Sequence, residues 1–138
     1  RGLQMAERIK KKLEELLDKK IALGHLDATF YRDDFRRREA PLKPNTTKID
    51  FLIEGKKVVL VDDVVSSGRM VRAAMDAMQA FGRPKKIELL CLVNRSYNRD
   101  LPIQPDYVGI KVNTLESQHV LVEWKEQGKA KDSVWLLE

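Results

Sequence analysis

The chain of 138 residues has a single cysteine, Cys91, and only two histidines, His25 and His119. One cysteine excludes an internal disulfide. Without a Cys/His cluster there is no structural zinc site of the usual spacing. No stretch of eighteen apolar residues exists, which excludes a transmembrane helix on hydropathy. No secretory leader is legible, so a reducing compartment, the cytoplasm, is expected. Internal repeats and low-complexity segments are absent. The chain also has no initiator Met: Arg1-Gly2 leads directly into a helical pattern with no N-cap before it, so a preceding segment is expected to be missing.

What is present suits one domain, 1–138. Hydrophobic residues make up 43% and charged residues 34%, enough for a core without staples and too apolar for disorder. The net charge is +5, and its distribution is uneven: residues 1–57 carry fifteen Lys/Arg against ten Asp/Glu, while residues 58–138 carry eleven of each. A positive surplus confined to the first half suits a phosphorylated small molecule or a nucleic acid, and equally a solvated helix face beside a basic loop.

Hydrophobic periodicity predicts an amphipathic helix over 3–19 and strands over 25–31, 57–61, 87–93, 106–112, 119–124 and 133–137. A second helix is expected over 69–81, closed by Gly82 and Pro84. Residues 32–50 have no period and are charged and proline-containing, and 32–48 is expected to be a flexible lid. Strand, helix, strand across 57–93 is one βαβ unit, and continuous apolar runs imply a parallel sheet covered on both faces. Ligands of such sheets bind beyond the carboxyl ends of the strands.

The turn after 57–61 concentrates the chemistry. Asp62 and Asp63 close a buried strand, where acids are costly unless paired, solvated or holding something cationic. Side chains alternate along a strand, so the two point to opposite sides unless the strand has ended. Ser66, Ser67 and Gly68 then open a helix, whose amides and dipole favour an anion. Serine and glycine before a helix are also an ordinary cap, and an acid pair after an apolar strand also opens the receiver domains of response regulators. The second strand here ends in Asn94 rather than the phosphoacceptor Asp of receivers. Acids and cradle together fit a sugar phosphate.

The segment VVLVDDVVSSGRM, 58–70, resembles the signature of type I phosphoribosyltransferases, which bind phosphoribosyl pyrophosphate (PRPP). FYRDD (30–34), MVRAAMDAMQAFGRPKKIEL (70–89) and RDLPIQPDYVG (99–109) are similar to the pyrimidine operon regulator/uracil phosphoribosyltransferase branch, PyrR. The resemblance covers nearly the whole chain. It implies the α/β type I phosphoribosyltransferase fold: a mainly parallel twisted sheet with helices on both faces, with an N-terminal strand and helix missing from this chain. It implies a transferase that joins the ribose 5-phosphate of PRPP to a base, most simply uracil, giving UMP and pyrophosphate. Asp62 and Asp63 are then catalytic. Val65, Ser66, Ser67, Gly68, Arg69 and Met70 hold the 5′-phosphate, and Arg1, Gly2, Arg32, Asp33 and Asp34 serve the pyrophosphate and the lid. Tyr107, Val108, Lys111 and Val112 line the base. Mg²⁺ accompanies PRPP, with Asp62 and Asp63 available to it directly or through water. A homodimer or larger homo-oligomer is implied, and no membrane.

Departures from the family pattern carry information. Ser67 stands for the family Thr and keeps its hydroxyl, whereas Met70 replaces a hydroxyl-bearing Thr. The Arg-Gly-His-Arg stretch reads Arg95-Ser96-Tyr97-Asn98-Arg99, and Gln104 replaces a basic residue. In the regulator branch this region belongs to the RNA-binding surface, so these changes count against RNA, although Arg95 and Arg99 remain. The alternatives left open are an RNA-binding regulator of pyrimidine genes with weak activity, and a purine or orotate transferase of the same fold. Cys91 is expected to be a buried, inert thiol, and both histidines structural.

Overall fold

The structure, a computed structural model, describes residues 2–28 and 47–138. Arg1, Arg32, Asp33 and Asp34, and the expected lid up to residue 46, lie outside the described residues.

The first helix, α1, spans Gly2–Leu17. Its apolar residues recur at three- and four-residue spacing, and Met5 and Ile9 face the core. Strand β1 (Lys57–Val65) leads into α2 (Arg69–Met78), which tightens into a 3₁₀ turn, Gln79–Phe81, before Gly82. Strands β2 (Lys86–Asn94) and β3 (Tyr107–Lys111) follow. β1, β2 and β3 form one parallel sheet in that order. The last strands, β4 (His119–Glu123) and β5 (Ser133–Leu137), pair antiparallel as a separate hairpin.

The central part of the parallel sheet, β1 and β2, is packed on both faces, while β3 is exposed along its length. On one face Val71 and Met75 of α2 pack on Leu60, Val65, Leu89 and Cys91. On the other, Met5 and Ile9 of α1 join Val61, Leu90 and Leu92 with Val120, Val122 and Trp124 from the hairpin side. Burying one such side chain contributes about 1.5–3 kcal/mol. Arg8 clips α1 to the hairpin: its guanidinium donates to Glu126 at 2.6 and 3.0 Å and to Asp132 at 2.7 and 2.9 Å, and lies 4.6 Å from the Trp124 ring centre.

Two expectations need correction. Residues 25–28 make no strand: His25 forms an isolated antiparallel bridge with Lys48. Leu26 and Ala28 instead pack against the alanines of α2, a burial pattern that imitates a strand without a ladder. Also, β1 does not end at 61; it runs through both acids to Val65.

Candidate active site

The carboxyl end of β1 breaks its own pleat at the acid pair. Leu60 and Val65 pack on one face and Val61 and Val64 on the other. Unbroken alternation would put 60 and 65 on opposite faces, and likewise 61 and 64. The register to β2 is the same before and after the pair, and Asp63 alone between 57 and 65 has no ladder partner. No residue is inserted; the backbone rotates. Each acid also caps the next amide, Asp62 Oδ1 accepting from Asp63 N–H and Asp63 Oδ1 from Val64 N–H, both at 2.8 Å. Such side-chain-to-backbone bonds compete with a strand's regular pattern. The two carboxyls therefore lie close enough to influence each other. Burial first, and then this neighbour, push Asp62 well above the ordinary carboxylate range.

Two helix amino ends meet this pair. A Cβ added to Gly2, at the start of α1, would lie 3.3 Å from the Val61 carbonyl oxygen and 3.6 Å from Asp62 Oδ1. At the other side Gly68 caps α2 with φ +91°, left-handed backbone suited to glycine, and no side chain caps the helix. Its Cβ position is also closed by Ile103, 3.3 Å away. Gly68 itself offers no acceptor to the first-turn amides of α2, which suits a bound anion there. A hollow of about 80 Å³ opens here, lined by Asp62, Ser66, Ser67, Gly68 and Met70 with the valines of the turn. Ser67 Oγ accepts from the Arg69 amide at 3.2 Å, a local turn that a bound anion would contest.

The loop after β2 holds the cradle from behind, which the sequence did not reveal. The Arg95 amide donates to the Val65 carbonyl at 2.9 Å, and the Asp100 and Leu101 amides to that of Ser67 at 2.9 and 3.1 Å. Arg99 Nη1 donates to the Ser66 carbonyl at 2.6 Å and Nη2 to Asn94 Oδ1 at 2.5 Å. Arg95 is buried, with Nε on Thr114 Oγ1 and Nη2 on the carbonyls of Leu115 and Gln118. Both arginines look like surface cations in the sequence because their acceptors are mostly backbone carbonyls, which leave no sequence signal.

The expected base residues all lie on β3 or just after it. Tyr107 and Val108 begin β3, two strands from the acids and in register with Val61 and Asp62 through Leu90 and Cys91, and the Tyr107 hydroxyl donates to Glu88 at 3.0 Å. Lys111 and Val112 lie at the carboxyl end: Lys111 pairs with Asn94 and the Val112 amide donates to the Asn94 carbonyl. Lys111 stands 5.6 Å from the ring of the exposed Tyr97. Cys91 is buried, and burial pushes its thiol up to about 11, the inert state expected.

Among the described residues no three His, Cys, Asp or Glu come together as a metal cage. Two adjacent carboxyls, one of them lining the hollow, fit Mg²⁺ delivered with a polyphosphate, which holds magnesium through one or two protein acids.

The sequence matches the phosphoribosyl transferase domain family over residues 1–127. This chain belongs to that family. Within it, the bifunctional protein PyrR of Enterococcus faecalis is 44% identical over 130 residues, covering 94% of this chain and 72% of that protein. PyrR of Caldicellulosiruptor bescii is 48% identical over 125 residues, covering 89% and 68%. The chain is therefore of the PyrR branch. Among solved structures, a purine phosphoribosyltransferase from Pyrococcus horikoshii superposes with a TM-score of 0.51 at 22% identity, over 81% of this chain and 66% of that one. At that identity the likeness speaks for the fold. The phosphoribosyltransferase fold is the one expected from residues 58–70.

Proposed function

We propose that the protein transfers ribose 5-phosphate from PRPP to a pyrimidine base, uracil, releasing pyrophosphate. The observation that carries this reading is the acid pair seated between the amino ends of α1 and α2. PRPP has a phosphate at one end, a pyrophosphate at the other and ribose hydroxyls between. The α2 cradle, 65–70, suits the 5′-phosphate. The α1 end at Gly2 suits the pyrophosphate, with Arg1, Arg32, Asp33 and Asp34 as its expected companions. Asp62 and Asp63 accept from the ribose hydroxyls.

In the reaction the bond from the anomeric carbon to the pyrophosphate oxygen breaks. A bond from that carbon to N1 of uracil forms, and the N1 proton passes to water. Mg²⁺ bound with PRPP supplies charge for the departing pyrophosphate. The acids lie where the sugar becomes positive and stabilise that charge. Lys111 and Val112 stand at the strand end where the base would lie. Turnover with uracil, hypoxanthine and orotate in parallel tests the base assignment: UMP as the main product supports it, and a faster purine or orotate reaction overturns it.

A second activity, RNA binding in pyrimidine gene control, follows from the branch. The inward-turned Arg95 and Arg99 make it subordinate here. Assembly as a homodimer or larger is supported by the exposed apolar side chains of β5, Val134, Trp135, Leu136 and Leu137, each 44–54% exposed. No described helix is long and apolar enough to cross a membrane, and a cytoplasmic place suits the lone reduced thiol.

A further inference from the structure

We propose that Arg99 is a positioning residue for the phosphate cradle: it holds the Ser66 carbonyl so that the loop's amides face the 5′-phosphate. This rests on reading 65–70 as that cradle. Three successive carbonyls of the loop, Val65, Ser66 and Ser67, are all engaged from residues 95–101. Fixing carbonyls on one side of a short turn fixes which way the intervening amides point. The outer two are held by backbone amides, which almost any sequence would supply. The middle one is held by a side chain, so Arg99 is where this support depends on residue type.

The guanidinium is itself fixed. Asn94 is buried and accepts from Nη2, so Arg99 spans from the end of β2 to the loop with both Nη atoms engaged. Arg69 adds an exposed bond to Asp100 at 3.2 Å, and Ile103 and Leu101 sit against Gly68. The cradle and residues 94–103 are therefore one body. A planar guanidinium suits two acceptors held at fixed positions, and an ammonium satisfies them less well.

The test uses ribose 5-phosphate, which offers the 5′-phosphate alone, and pyrophosphate, which offers the other end of PRPP. Affinities are measured by calorimetry, and the amide resonances of Ser66–Met70 are followed. Arg99→Met should weaken ribose 5-phosphate about tenfold, shift those resonances in the free protein, and leave pyrophosphate within twofold. Arg99→Lys should recover part of the loss. Arg95→Met, whose side chain holds 114–118 instead, should lower Tm without that selective loss. Should Arg99→Met not fold, Asn94→Ala carries the same comparison. Unchanged ribose 5-phosphate binding in Arg99→Met, or equal loss of both probes, overturns the proposal. Ser67→Asp separates the premise: it should abolish ribose 5-phosphate binding through charge repulsion. If it does so while Arg99→Met binds normally, the cradle stands and the positioning role falls. If Ser67→Asp binds normally, the cradle itself is misplaced and the proposal falls with it.

Discussion

At the residue scale Asp62 and Met70 make the sharpest statements. Burial and the Asp63 carboxyl raise the pKa of Asp62 in the folded chain. The folded state then keeps a proton that the unfolded state gives up near pH 3.9 (~3.9 for a free Asp). Wherever the folded state binds more protons, stability falls as pH rises. The loss begins near the unfolded value and is complete above the raised folded one. Asp62→Asn is neutral at every pH and can keep the bond from the Asp63 amide. In metal-free buffer its Tm should match the parent's near pH 3.5 and exceed it increasingly toward pH 8. A Tm difference that does not change with pH would contradict the shift. Met70 lies in the first turn of α2, half-exposed on the hollow's rim. Met70→Thr adds a hydroxyl there, about 1 kcal/mol or roughly fivefold in PRPP affinity. Titration of PRPP against both proteins decides it, and unchanged affinity would mean that position 70 contributes through its backbone alone.

Among the elements, the contact between β2 and β3 depends on one glycine. A Cβ on Gly109 would stand 2.7 Å from the Leu92 carbonyl oxygen, which is backbone and cannot move aside cheaply. Gly109→Ala should cost about 1–3 kcal/mol, read as a fall in the urea midpoint; an unchanged midpoint would show that the strands separate freely. The elements themselves were largely legible, because α1, β1, α2 and β2 announce themselves by period, glycine and proline. Three features were not. The rotation of the pleat at Asp62–Asp63 arises from side chains capping their neighbours' amides, and the sequence offers only alternation. Residues 25–28 alternate as a strand would, yet Leu26 and Ala28 alternate to fit α2. Which sheet β4 and β5 join was equally silent, since pairing is set by distant contacts.

For the whole molecule, charge placement governs what can bind. The positive surplus sits in residues 1–57, but the arginines expected to greet RNA, Arg95 and Arg99, donate to protein acceptors instead. With those two engaged within the protein, RNA should bind weakly, with little sequence preference, and fade between low and physiological salt. Gel shift of a pyrimidine-operon leader against a scrambled RNA at two salt concentrations measures this. Tight discrimination for the leader at physiological salt would make regulation the primary role. The site was legible in outline because acids, serines and Gly68 adjoin in sequence. Its supports were hidden because they arrive from residues 94–103 through backbone carbonyls.

The central claim is that the acid pair between two helix ends performs phosphoribosyl transfer to uracil. The direct measurement is formation of UMP and pyrophosphate from uracil, PRPP and Mg²⁺, by the parent and by Asp63→Asn. That variant is close to isosteric and removes the charge expected beside the developing cation. The predicted result is equal amounts of UMP and pyrophosphate from the parent, and loss of at least a hundredfold in rate in Asp63→Asn with Tm retained. A variant within a few-fold of the parent, or a parent that forms no UMP, would contradict the account.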